Sequence, residues 1–105
     1  MAVEVGSGNV LADLGFPDAA VLDVKVRLTV EIVRLINAKR LSQVAAAALL
    51  EINQPKVSAL KNYKLDGFSV ERLMTFLVCL GQRVDINIRE HEKTDPAPRI
   101  SVGTH

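Results

Sequence analysis

Tryptophan is absent from this chain, and one tyrosine and three phenylalanines are all the aromatic residues in its 105 positions. A core without large rings has to be assembled from Leu, Val, Ile and Ala, which favours packed helices. Cysteine occurs once, at Cys79. No disulfide can close within the chain, which fits a reducing compartment, so a cytoplasmic location is expected and Cys79 is read as a small buried hydrophobe. No run nears the roughly 18 apolar residues of a membrane span, and the opening MAVEVGSGNV has neither the basic start nor the apolar stretch of a secretory signal. No nucleophile and base, acidic dyad, cluster of metal ligands or glycine-rich phosphate loop stands out. His91 and His105 have no Cys or His clustered with them. The chain is therefore not expected to be an enzyme or to need a metal or a cofactor.

Strong net charge is also missing. A formal charge of +1 argues against a polycation that coats nucleic acid indiscriminately. The distribution is uneven, however. Residues 39–64 hold Lys39, Arg40, Lys56, Lys61 and Lys64 against the single acid Glu51. Residues 1–38 have three basic and five acidic side chains, and residues 65–105 have five and six. The positive excess is thus confined to one stretch, as expected where a face meets phosphates, although a solvated basic loop would give the same count.

What is present is a hydrophobic content of 49%, enough for one domain with an ordinary core. Residues 1–17, with Gly6, Gly8, Gly15 and Pro17, read as an extended lead-in. Asp18 or Asp23 can cap a first helix, in which Val24, Leu28, Ile32, Leu35 and Ile36 recur at helical spacing as far as Lys39 and Arg40. The same stretch also alternates, through Leu22, Val24, Val26, Leu28, Val30 and Ile32, as a strand would. Its length without Gly or Pro exceeds that of an ordinary strand, which favours helix.

Ser42 can cap a second helix through Leu50, and Asn53 a third with Pro55 in its first turn, running to about Asn62. Ser69 can cap a fourth, with Phe68 and Leu73 placed as a hydrophobic staple and Gly81 as its stop. Residues 83–89 then alternate cleanly around Val84, Ile86 and Ile88, which predicts a half-buried strand. A lone strand leaves its backbone unsatisfied, so pairing with a second copy or with the lead-in is expected. From residue 91 to 105, polar residues with Pro96 and Pro98 suggest a loose tail. The expected fold is mainly all-α, a bundle of four to five helices over residues 18–90 with a C-terminal strand pairing in a dimer.

The stretch from Gln43 to Asn62 carries the functional reading. Where a second helix packs across a first after a tight turn, the first needs a small residue at the crossing, and Ala47 is there. Ala46, Leu50, Ile52, Val57 and Leu60 fill the side toward the core, which leaves Gln54, Lys56, Ser58, Ala59 and Lys61 facing outward. Short and amide-bearing groups flanked by cations suit base edges and phosphates, although most such residues are simply solvated.

Through Leu41-Ser42-Gln43, Ala47, Asn53-Gln54-Pro55-Lys56-Val57-Ser58 and Leu60, the sequence resembles the Cro and phage-repressor class of helix-turn-helix regulators, the XRE type. Gly8-Asn9-Val10, Leu14-Gly15 and Pro17-Asp18 before this module resemble the HigA-like antitoxins. So do Gly67-Phe68-Ser69, Glu71-Arg72-Leu73 and Leu80-Gly81-Gln82 after it. Three departures stand out. Glu51 and Tyr63 occupy frequent glycine positions, and Ala45 stands where an acidic capping partner is common.

The resemblance implies a repressor of transcription that binds duplex DNA with the first turn of its third helix in the major groove. Gln54 would then be the first base reader, followed by Lys56, Ser58 and Ala59. Phosphate contacts would come from Gln43, Asn53, Lys61, Asn62 and Lys64. It further implies a homodimer on an inverted-repeat operator, its copies joined through Val84, Ile86 and Ile88. The partner would be a small basic toxin, a ribosome-dependent endoribonuclease of the RelE or HigB type, neutralised while the pair represses its own operon. A plain regulator with no toxin is the alternative.

Overall fold

The first described helix begins at Asp18. The computed structural model describes residues 18–90 and 100–103, which form four α-helices: α1, Asp18–Ala38; α2, Gln43–Leu50; α3, Gln54–Lys61; and α4, Val70–Cys79. The expected lead-in over 1–17 and most of the tail, with His91 and His105, lie outside the described residues. None of the described helices is long and apolar enough to cross a membrane.

The alternation in the first apolar stretch has a helical origin. Val24, Leu28 and Ile32 form one series spaced by four, and all three are buried in the core with Val21, Leu35 and Ile36. Leu22, Val26 and Val30 form a second series two residues out of step, on another side of the same helix. Leu22 is 51% exposed and Val30 49%. Two interleaved stripes at period four produce a pattern of period two. Thr29 sits fully buried between them, and its hydroxyl donates to the Lys25 carbonyl at 2.7 Å, so no polar atom is orphaned. On the exposed side Asp23 pairs with Arg27, and Glu31 with Arg34, whose hydrogen bond holds the Glu31 carboxyl below its ordinary value.

The core is a single apolar cluster. α1 packs chiefly against α4, and α2 against α3. Ile32, Ile36, Val57, Leu60, Leu73 and Leu80 are its most deeply buried side chains, and Phe68 meets Phe76 edge to face with centroids 5.9 Å apart. Ser69 caps α4 by accepting from the Arg72 N–H at 3.0 Å, while Phe68 and Leu73 are both buried beneath that cap. Cys79 is half-buried against the same cluster.

All four helices end in the same way. The N–H of Leu41 bonds the Ile36 carbonyl at 3.1 Å, Ile52 bonds Ala47 at 3.0 Å, Lys64 bonds Ala59 at 2.9 Å and Gln82 bonds Leu77 at 3.0 Å. Each pair spans five residues, and each is accompanied by a bond from the residue before to a carbonyl three residues back, which is the Schellman arrangement. It requires a left-handed residue just past the helix: Arg40 at φ 52°, Glu51 at 58°, Tyr63 at 56° and Gly81 at 86°. The last of these fits the predicted glycine stop. The first three pay the Cβ penalty of about 1 kcal/mol or more that glycine escapes.

The strand expected over 83–89 is corrected by the structure. No strand occurs among the described residues, and residues 82–90 follow an irregular path. Beyond the bond from Gln82 to Leu77, residues 83–90 make no backbone hydrogen bond among the described residues. A ladder needs a second backbone alongside, and none of the described segments supplies one. Val84 is half-buried against the core, whereas Ile86 is 51% exposed and Ile88 62%.

Relieving one left-handed turn tests the capping scheme. Glu51→Gly, in the turn between α2 and α3, should stabilise the fold by about 1 kcal/mol, a rise in Tm of roughly 4–8 °C. Thermal unfolding followed by circular dichroism measures it, and an unchanged or lower Tm contradicts the strain at this position.

Candidate nucleic-acid interface

An eight-residue helix has unsatisfied N–H groups over half its length, so its start has to be supplied by a side chain. Ser42 does this for α2: its backbone is extended (φ −68°, ψ 164°) and its Oγ accepts from the Ala45 N–H at 3.0 Å. Asn53 repeats the device for α3 at φ −80° and ψ 164°, with Oδ1 accepting from the Lys56 N–H at 2.9 Å. Pro55 occupies the first turn, where its missing N–H breaks nothing.

The two helix starts are tied to each other. Gln43, the first residue of α2, donates through Nε2 to the carbonyl of Gln54, the first residue of α3, at 2.9 Å. One surface therefore presents both positive helix ends side by side. Gln43 keeps a second amide hydrogen for an outside acceptor. α2 and α3 pack against each other, with Ala46, Ala47 and Leu50 of α2 and Val57 and Leu60 of α3 all buried in the core.

The structure sorts the sequence-predicted residues by what they already hold. Gln54 and Lys56 are exposed on the first turn of α3, and Lys64 is exposed beyond its end. Ser58 and Lys61 are half-buried. Ala59 faces the core more than the helical period suggested: it is partly buried and packed against the apolar cluster, because a single methyl leaves room for α3 to settle closely. Asn53 commits its oxygen to the cap and keeps its amide donors. Asn62 donates to the Ser58 carbonyl at 2.9 Å and lies 3.5 Å from the Ser58 hydroxyl. The tie between Gln43 and Gln54 had no counterpart in the sequence reading, since a side-chain bond to a backbone carbonyl eleven residues away leaves no trace in spacing or composition.

Among the described residues no group of three or more His, Cys, Asp or Glu could hold a metal ion. What the arrangement offers is a narrow helix start with an amide and a cation on it, beside a second helix start. That geometry matches the groove-reading unit of helix-turn-helix proteins. A family model described as a helix-turn-helix domain matches residues 10–89. A solved structure described as an XRE family transcriptional regulator is 56% identical, with a TM-score of 0.81, over 85% of this chain and the whole of the other. The chain belongs to the XRE-type helix-turn-helix regulators. That family consists of DNA-binding transcriptional regulators and not of enzymes. No curated protein matches the chain.

The caps give the interface its rigidity, and this is measurable without DNA. Asn53→Ala should lower stability by about 1 kcal/mol, within the 0.5–2 kcal/mol range of lost N-caps. Urea unfolding would show it as a lower midpoint with an unchanged slope. A midpoint equal to that of the unaltered chain would mean that α3 starts without this cap.

Proposed function

We propose that this regulator is a repressor that reads duplex operator DNA with the start of α3. The observation that carries the reading is the bond from Gln43 to Gln54, which holds the two helix starts together with Gln54 and Lys56 exposed beside them. Gln54 is the first base reader, since its amide can pair in two places with adenine. Lys56 and Ser58 follow, with the Ala59 methyl against a thymine methyl. Gln43, Asn53, Lys61 and Lys64 meet phosphates, and Asn62 joins them by exchanging its bond to Ser58. Replacing Gln54 by Ala should cost about 1–3 kcal/mol on the selected operator and little on random duplex, whereas Lys61→Ala should weaken both alike and flatten the salt slope. Equal losses on the two DNAs for Gln54→Ala would remove it from base readout.

The repressor acts as a two-fold dimer in this proposal. Residues 84–88 keep an alternating pattern with Ile86 and Ile88 exposed, so a second copy can supply the missing backbone partner and cover both side chains. Two α3 helices would then reach successive major grooves about 34 Å apart, on an inverted repeat. Ile86→Pro should yield monomers and weaken operator binding while sparing the helices. Light scattering showing a monomer for the unaltered chain, or an undisturbed dimer for Ile86→Pro, overturns the strand-paired arrangement.

The regulator is further proposed to be the antitoxin of a RelE- or HigB-like endoribonuclease, acting in the cytoplasm. The docking surface would be the outer side of α1, where Leu22 and Val30 are exposed. Charge gives little support there: α1 carries Asp18, Asp23 and Glu31 against Lys25, Arg27 and Arg34, so the acidic excess of residues 1–38 comes from Glu4 and Asp13, outside the described residues. The second reading, a plain regulator without a toxin, has one observation in its favour, namely that the 56% identical structure is described as a transcriptional regulator alone. Co-expression with the neighbouring small gene product and pull-down separates the two. Capture of a toxic nuclease, lost on Leu22→Glu, fits the antitoxin, and no capture with a harmless neighbour leaves the plain regulator.

A further inference from the structure

Two of the side chains held in strained turns have no polar partner among the described residues. Glycine satisfies the left-handed position after a helix without the Cβ clash, and the chain uses it after α4. After α1 and α3 it carries Arg40 and Tyr63 instead, at φ 52° and 56°. Both are exposed, Tyr63 at 42%. Neither side chain makes a hydrogen bond or an ion pair among the described residues. A guanidinium and a phenolic hydroxyl are therefore kept at a conformational cost with no polar partner among the described residues. Backbone strain of this kind is a reason to look for an outside partner.

Their positions say which partner. Arg40 lies three residues before Gln43, the residue that ties the starts of α2 and α3. Tyr63 follows the other end of α3 by two residues, next to the exposed Lys64. Eight residues of helix measure about 12 Å, close to the width of the major groove of B-DNA. With α3 in the groove, groups flanking its two ends come up against the two phosphate strands that border it. Arginine and tyrosine are both donors to phosphate oxygen.

We propose that Arg40 and Tyr63 are two further DNA-backbone contacts, one toward each end of α3. The Arg40 guanidinium grips a phosphate beside the start of α2, and the Tyr63 hydroxyl donates to one on the opposite strand. The proposal rests on α3 being the DNA reader. Glu51, the remaining non-glycine residue in a left-handed turn, is an acid that phosphates would repel, and it serves as the control.

The experiment compares Arg40→Gly, Tyr63→Gly, Tyr63→Phe and Glu51→Gly, each by thermal unfolding and by fluorescence anisotropy. The probe is a mixed-sequence duplex of about 30 bp, titrated across salt concentrations, since phosphate contacts act on any sequence. All three glycine variants should unfold at higher temperature, by roughly 4–8 °C. Arg40→Gly and Tyr63→Gly should nevertheless bind about tenfold more weakly, and Arg40→Gly should lower the salt slope by about 0.9. Tyr63→Phe should keep the Tm of the unaltered chain and lose most of the same affinity. Glu51→Gly should bind no more weakly than the unaltered chain. Glycine variants that gain stability at full affinity overturn the inference, and so do glycine variants that lose stability. Failure of the unaltered chain to bind the duplex at all would instead remove the DNA reading itself.

Discussion

Eight residues make little more than two turns of helix, too few to persist in water by intrinsic preference. α2 and α3 are both of this length, and the proposed DNA-facing surface is made of them. Everything about their surroundings answers that constraint. Each begins on a side-chain cap and ends on a Schellman bond, and each buries a few residues against the other at the alanine crossing. The amide of Gln43 then fixes where one helix starts relative to the other. Both short helices are thus held by hydrogen bonds at each end.

Much of this was legible in the sequence, and the physical reason differs from one element to the next. Ser42, Asn53 and Ser69 announce helix starts because a short acceptor side chain ahead of an apolar run has one favourable use. Gly81 announces a stop for a similar reason, while Arg40 conceals a turn of the same shape. The first apolar stretch looked partly like a strand because α1 is apolar on two sides, and period alone cannot separate two helical stripes from one alternating one. Around Ile86 the alternating pattern predicted a half-buried strand, whereas Ile86 and Ile88 are exposed on irregular backbone, since a ladder needs a second segment in register. Ala59 misled in a smaller way: its place on the helical wheel faces outward, but its size lets the helix sink toward the core. The tie between Gln43 and Gln54 could not be read at all.

Charge and fold converge on the same surface from independent directions. The basic excess of residues 39–64 was a count along the chain, indifferent to geometry. Folding places Lys56, Lys61 and Lys64 on or just beyond α3, whose start is tied to that of α2. The acidic excess near the beginning shows the opposite outcome. It belongs to residues before α1, and the charges of α1 itself partly neutralise one another through Asp23 with Arg27 and Glu31 with Arg34.

The main helix contact in the fold joins α1 to α4, the first and last of the described helices. Topologically, the reading unit is a loop closed by that clasp. The entropic cost of closing a loop grows only slowly with its length and is indifferent to which residues lie on its outer surface. Exposed positions on α3 can therefore be exchanged without disturbing Leu28, Ile32, Leu73 or Phe76, which hold the clasp shut. Such an arrangement separates inheritance of the scaffold from choice of target. Descendants of one ancestral bundle can diverge in the sequences they recognise while folding in the same way.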